Sequence, residues 1–241
     1  MTIKEMHYDF KQKLNKIDSQ QYRGLKIPEI DWKLNEAIEL YIKMIAEPKA
    51  RNSFGFETSQ RVIDDIRTIV LNNQPLAVTV VTGTDDFKAA LPTDYHYYIG
   101  AEKLLITDGS CPVVADKIYV RQHDDDFQAS PFDRSSLLWR EANIRFYEDG
   151  IRVFTNGEFT VTSFAINYIR QHAFAHNAED YVGATYNLLD GTALSGSQDC
   201  ELPSQTHREI VDLAVAITTG DLQMPDYAIK QNKLNYNQIK N

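Results

Sequence analysis

The chain has few cysteines and no long apolar run, and both absences exclude classes of protein. Cys111 and Cys200 are the two cysteines among 241 residues, and they lie far apart, outside any Cys-x-x-Cys or Cys/His array. The sequence therefore predicts neither a disulfide framework nor a zinc site, and we expect two buried thiols. No stretch reaches the roughly 18 apolar residues of a transmembrane helix. Because Met1–Leu14 is rich in charge, we expect no signal peptide and a protein that is made and kept in cytosol-like conditions.

The chain also lacks an excess of positive charge. It has 25 Lys and Arg against 34 Asp and Glu, a formal net charge of -9. This balance argues against a protein built to neutralise a nucleic-acid backbone. With 43% hydrophobic and 11% aromatic residues, the composition is typical of a folded globular protein of one large domain or two small ones.

The first third of the chain has helical periodicity. Apolar residues recur at steps of four, three and four in Asp31–Glu47, which predicts a helix with Asp31 as its N-cap and the following proline as its stop. A second amphipathic helix is predicted over Thr58–Leu71, and a weaker one over Met1–Ile17.

The middle of the chain is rich in β-branched residues and turn signals. Leu76–Thr82 and Pro112–Gln122 are each predicted to form a strand. In Asn143–Tyr168, the turn dipeptides Asp149-Gly150 and Asn156-Gly157 separate three β-rich runs. Because these residues tolerate positive φ, we expect a three-stranded antiparallel meander.

A final helix and a polar tail follow a loop predicted at residues 190–198. The helix is predicted to open at Pro203 and to stop at Gly220. The predicted fold class is α+β: a helical bundle of N-terminal helices and one C-terminal helix, with an inserted antiparallel β-rich domain and an extended C-terminal tail. The predicted regions are the N-terminal helices at 1–74, the β-rich domain at 75–200, the C-terminal helix at 201–222 and the tail at 223–241.

One acidic cluster could carry chemistry. His123 is followed by Asp124, Asp125 and Asp126, residue types that bind divalent ions or act as acid and base. Consecutive residues of an extended chain point to alternate sides, so a solvated acidic loop is the simpler interpretation. A metal-dependent hydrolase using this cluster is the alternative function. No G-x-S-x-G, Walker A or G-x-G-x-x-G motif is present. Because the absence of a motif is weak evidence, an enzyme whose chemistry leaves no recognisable motif is a further alternative.

Aromatic residues and arginines are frequent together in the β-rich region. Most of the aromatic side chains are expected in a core. Arg134, Trp139, Arg140 and Arg145 also have the composition of anchors in a large protein interface.

An ordered set of landmarks spans residues 70 to 230. They are Leu91–Tyr98, Arg121–Asp125, Ser130–Phe132, Ser135, Ser136, Trp139, Gly150–Phe154, Phe159–Val161, Asn167–Arg170, Glu209–Ala214 and Pro225–Tyr227. In this order they resemble the tail ring proteins of crAss-like bacteriophages, the head-to-tail connector components stacked below the portal.

The resemblance implies a virion structural protein that forms a dodecameric ring, docks on the portal protein and contacts neighbouring tail ring proteins. It also implies no enzyme activity, no catalytic residues and no cofactor. Genomic DNA would pass through the lumen without sequence-specific binding, and a net charge of -9 suits such a conduit. Short-tailed phage adaptors direct a C-terminal segment towards the portal. The partner-binding residues are therefore expected in the tail, at Lys230, Lys233, Leu234, Tyr236 and Ile239. Another tail or hub structural protein is a further alternative.

Overall fold

The computed structural model describes residues 1–15, 24–46, 64–109, 111–121 and 135–222, which form an α+β structure. The helices in these ranges are α1 (Ile3–Asn15), α2 (Ile27–Ala46) and α3 (His207–Asp221). The strands are β1 (Val70–Leu76), β2 (Val78–Val80), β3 (Phe87–Ala89), β4 (Tyr95–Thr107), β5 (Val113–Val114), β6 (Lys117–Val120), β7 (Glu141–Tyr147), β8 (Gly150–Phe154), β9 (Thr160–Arg170), β10 (His176–Asn177), β11 (Thr185–Asn187), β12 (Ala193–Ser195) and β13 (Ser197–Gln198). No helix within the described ranges is both long and apolar enough to span a membrane.

The chain divides into two compact units. The helical unit comprises Met1–Ile69 and His172–Asn241, and the β unit comprises Val70–Gln171. Residues 172–200 therefore belong to the helical unit, although the sequence prediction grouped them with the β-rich region. The short strand pairs β10–β13 and β11–β12 lie in this segment, where the sequence predicted a loop at residues 190–198.

In the helical unit, α3 packs against both α1 and α2. The apolar stripe predicted for α2 is confirmed, because Leu34, Ile38, Tyr41 and Ile45 are all buried. Its predicted start is wrong, since α2 begins at Ile27. Pro28 lies in the first turn, where a helix needs no backbone donor, and the proline ring favours helical φ.

The other helices differ from the prediction at their ends. The α3 helix begins at His207 rather than Pro203, after a turn in which the Thr206 N–H donates to the Pro203 carbonyl oxygen at 2.9 Å. It continues through Gly220 to Asp221.

The first part of the predicted helix at Thr58–Leu71 lies outside the described residues. Residues 64–66 are helical, but β1 begins at Val70, so the predicted end is wrong.

The β unit contains two sheets that share one hydrophobic core. One sheet has the order β1-β9-β4-β5 and the other β2-β3-β8-β7-β6, with only β6 and β7 parallel among the described strands. Leu104, Phe164 and Ile166 from the first sheet and Ile144 and Ile151 from the second belong to the same buried cluster. The strands predicted at Leu76–Thr82 and Pro112–Gln122 are each divided, because β1 and β2, and likewise β5 and β6, join different sheets.

The predicted three-stranded meander is only half correct. The β7–β8 hairpin forms, with Tyr147 opposite Gly150. The third strand, β9, instead pairs with β1 and β4 in the other sheet. Asn156 and Gly157 do have positive φ, at 53° and 73°, but their turn carries the chain from one sheet to the other. Burial of Phe164, Ile166 and Tyr168 in the shared core favours this placement.

The two cysteines have different environments. Cys200 is buried, as the sequence predicted, but Cys111 is exposed, so the prediction of two buried thiols is wrong for Cys111.

Candidate functional site

The acidic cluster and the tail contact residues that the sequence predicted lie outside the described residues. This applies to His123 and Asp124–Asp126 and to the tail residues Lys230, Lys233, Leu234, Tyr236 and Ile239. Within the described ranges, no group of three or more His, Cys, Asp or Glu side chains could hold a metal ion.

A buried polar site of the helical unit surrounds Asp31, on α2. Its side chain is fully buried. His7 Nε2 lies 2.6 Å from Oδ1, the Tyr186 hydroxyl donates to Oδ2 at 2.7 Å, and the Asn177 N–H lies 3.2 Å from both oxygens. These donors replace the water that a buried carboxylate loses.

Asn35 extends this site by one helical turn. Its side-chain amide donates to the carbonyl oxygens of Asp31 and Ala175, each at 2.7 Å. Its Oδ1 accepts the Ala175 N–H at 2.9 Å and lies 3.3 Å from His172 Nε2. We call His7, Asp31, Asn35, Asn177 and Tyr186 the Asp31 cluster.

The Asp31 cluster connects four elements of the helical unit. His7 is on α1, Asp31 and Asn35 are on α2, and Asn177 and Tyr186 lie on β10 and β11. Burial and the hydrogen bond to Asp31 raise the pKa of the Tyr186 hydroxyl above its usual value, so this hydroxyl keeps its proton to higher pH than a free tyrosine. His7 Nδ1 and Asn177 Oδ1 have no hydrogen-bond partner among the described residues. These hydrogen bonds give the Asp31 cluster a structural role, and we also call it the clamp.

Lys4 adds an exposed contact beside the clamp. Its ammonium lies 3.1 Å from Glu179 and 3.4 Å from Asp180. A hydrogen bond from Asn177 and the nearby Lys4 hold the pKa of Asp180 below its usual value. Such an exposed pair adds little stability.

Sequence reasoning missed this site. It assigned Asp31 to an N-cap because aspartate commonly precedes a helix. The partners of Asp31 are 24, 146 and 155 residues away in the sequence, so no local pattern connects them.

An apolar cleft adjoins the clamp, and Tyr186 belongs to both. The cleft has a volume of about 420 Å³. Trp32 is 49% exposed and Leu189 is 90% exposed. At the polar edge, Lys33 forms ion pairs with Glu36 and Asp221. The lining residues are Leu25, Pro28, Glu29, Trp32, Lys33, Phe174, Tyr186, Asn187, Leu188, Leu189, Thr218, Asp221 and Leu222.

The β unit presents a second apolar feature, the turn at residues 137–140. Leu138 is 84% exposed and Trp139 is 71% exposed. Arg140 closes the turn at a φ of 53°, and its carbonyl oxygen accepts the N–H groups of Asp116 and Lys117 at 2.8 and 3.2 Å. We call Leu138 and Trp139 the apolar turn.

Of the other predicted anchors, Arg134 lies outside the described residues and Arg145 stacks over Tyr147 at 5.1 Å.

Comparison with known proteins assigns no family. No family model matches the chain, and none of the curated proteins matches it.

Proposed function

We propose that this chain is a virion structural protein without catalytic activity, one subunit of a head-to-tail connector ring that docks below the portal of a crAss-like bacteriophage. The ordered landmarks between residues 70 and 230 motivate the proposal. The structural observation that best supports it is that both ends of the chain contribute to the helical unit. We interpret this layout as a small helical bundle into which a β-rich domain is inserted.

We infer a docking role for the tail, which follows α3 in the sequence. The α3 helix packs on α1 and α2 and ends at Asp221, just before the tail begins in the sequence. A tail directed from a helical bundle towards the portal is the arrangement that the resemblance implies. The tail residues Lys230, Lys233, Leu234, Tyr236 and Ile239 would make that contact.

The polar interior of the helical unit suits an assembly protein. The Asp31 carboxylate is fully buried and receives donors from three other elements of the same chain. Such a carboxylate stabilises one packing arrangement and is shielded from a substrate. We infer that the cluster keeps the helical unit rigid while its surfaces contact partners.

A ring also requires two different patches on each subunit, because a cyclic interface is heterologous. The helical and β units would supply one patch each. The net charge of -9 would limit attraction to DNA phosphates and let the genome slide through the lumen.

Quantitative peptide mass spectrometry of density-purified phage particles tests the proposal. For a dodecameric ring on a dodecameric portal, we expect about one copy of this chain per portal subunit. Absence from purified particles, with the portal detected in the same sample, would contradict the connector proposal.

The tail's role has its own test in full-length protein. The triple variant Leu234→Ser/Tyr236→Ser/Ile239→Ser should bind purified portal more weakly. The matched control Asn235→Ser/Asn237→Ser/Asn241→Ser changes three polar residues of the same tail and should bind as the unmodified protein does. Equal binding by both variants would remove these apolar residues from the docking role.

A further inference from the structure

We propose that the apolar turn of one subunit inserts into the apolar cleft of a second copy of the same chain, forming the head-to-tail contact of a ring. This inference rests on the proposed ring function, because it names the contact between neighbouring subunits of that ring. The two features themselves are properties of the single chain.

The turn has the properties of an interface anchor. Leu138 and Trp139 are adjacent and are 84% and 71% exposed. Tryptophan is enriched at the energetic centres of protein interfaces, because its large ring loses much water-exposed surface when covered. The positive φ of Arg140, 53°, is uncommon for a residue with a side chain, and such strain occurs often at binding sites.

The cleft has the properties of a receptor for such an anchor. Its volume of about 420 Å³ falls within the range of about 300–1,000 Å³ typical of binding pockets. Trp32, Phe174 and Leu188 contribute apolar lining, and the cleft lies in the helical unit whereas the turn lies in the β unit. An exposed apolar turn and an apolar cleft on different units are the two different patches that a heterologous contact requires.

The acidic residues of the cleft could pair with Arg140 of the second copy in place of its Asp116 partner. Glu29 and Asp221 lie at the cleft's edge with Lys33 as the cation, so the edge carries a net negative charge. Arg140 is adjacent to Trp139, and its guanidinium lies 3.6 Å from Asp116, with 53% of its side chain exposed. As Trp139 enters the cleft, Arg140 would approach the negative edge. Paired opposite charges favour one orientation of docking over others.

The proposed contact is small, so it should be weak between two free subunits. One tryptophan buries about 150–250 Å², well below the roughly 800 Å² per partner of a stable complex. Closure of a ring would strengthen assembly, because each subunit is then held at two places.

Sedimentation velocity of the full-length protein between about 5 and 500 µM tests the contact. We expect association that increases with concentration. The turn variant is Leu138→Ser/Trp139→Ser, and the cleft variant is Leu189→Ser/Leu222→Ser. Each should weaken self-association by about tenfold or more. Matched controls are Val80→Ser in the β unit and Val182→Ser in the helical unit, both exposed apolar residues outside the two features, and they should associate normally.

Mixing the two variants gives the decisive result. The turn variant retains an intact cleft, and the cleft variant retains an intact turn. A head-to-tail contact therefore predicts a 1:1 dimer in the mixture that does not grow further, while each variant alone stays monomeric. Circular dichroism of each variant checks that it is folded.

Three results would overturn the inference. The first is a monomer at every concentration, and the second is a mixture without a dimer. The third is a change in Trp32 fluorescence in the dilute, monomeric turn variant, which would place the turn in the cleft of its own chain. None of these results depends on whether the chain is found in phage particles, so failure of this contact and failure of the connector proposal are distinguishable.

Discussion

The Tyr186 hydroxyl donates a 2.7 Å hydrogen bond to Asp31 Oδ2 across 155 residues of sequence. This bond joins β11 to the first turns of α2. It also places the Tyr186 ring in the wall of the apolar cleft. The clamp that holds the helical unit together therefore shapes the surface that we propose for subunit contact.

Removing this hydroxyl should destabilise the protein measurably. In Tyr186→Phe, Asp31 remains buried but loses one donor, which typically costs about 1–3 kcal/mol of unfolding free energy. Urea denaturation should show a lower midpoint with an unchanged slope. Tyr8→Phe, a control at a ring that is 66% exposed, should change the unfolding free energy by less than about 0.5 kcal/mol.

Deprotonation of Tyr168 should lower the free energy of unfolding at alkaline pH. Its hydroxyl donates to Asp94 Oδ1 at 2.9 Å, and burial, together with that bond, raises its pKa to about 12. An unfolded tyrosine has a pKa near 10. Because the folded state holds the proton more tightly, this contribution is fully present below about pH 10 and is lost as the pH rises towards 12.

The Tyr168 contribution can be isolated by comparing urea midpoints at pH 9 and pH 11. The midpoint of the unmodified protein should fall more than that of Tyr168→Phe, which lacks the titrating group. Equal falls in the two proteins would show that Tyr168 does not couple to folding.

Gly150 should tolerate no side chain. It begins β8 with a φ of +134°, and a Cβ built there would lie 2.4 Å from the Ala89 carbonyl oxygen. Gly150→Ala should therefore cost about 3 kcal/mol or more, since backbone strain and overpacking add. Gly83→Ala is the control, because Gly83 has a φ of +85° with nothing within 4 Å of the added Cβ. We expect about 1–2 kcal/mol there from strain alone, and equal losses at both sites would contradict the close contact.

The two thiols should react at different rates. Cys111 is exposed, whereas burial raises the pKa of the Cys200 thiol to about 11. Because the thiolate is the reactive form, a disulfide reagent at pH 8 should modify one thiol of the folded protein rapidly. The second should react only after denaturant is added. Cys111→Ser should abolish the rapid phase, and its persistence in that variant would contradict the assignment.

Local sequence patterns predicted those helices and hairpins whose geometry depends on residues close together in the sequence. The periodicity of Leu34, Ile38, Tyr41 and Ile45 identified α2 because a helix places residues three and four apart on one face. Gly150 after Asp149 likewise indicated the β7–β8 hairpin. Both features depend on contacts between residues close together in the chain.

Predictions failed where distant residues decide the structure. The turn dipeptide Asn156-Gly157 indicates a reversal of the chain, but it does not specify which strand lies beside β9. That choice follows from burying Phe164 and Ile166 in a core shared by two sheets. Likewise, nothing near Asp31 in the sequence distinguishes a helix cap from the centre of a buried cluster.

By itself, the sequence determined the α+β class, the positions of α1 and α3 to within a few residues and the face of α2 that is buried. Tertiary structure alone decided that residues 172–200 join the helical unit, that β9 leaves the hairpin's sheet and that Tyr186 lies beside both Asp31 and the cleft. The physical reason is the range of the forces involved. Helical and hairpin geometry is set over a few residues, whereas burial of apolar surface and satisfaction of a buried carboxylate depend on groups that meet only when the whole chain folds.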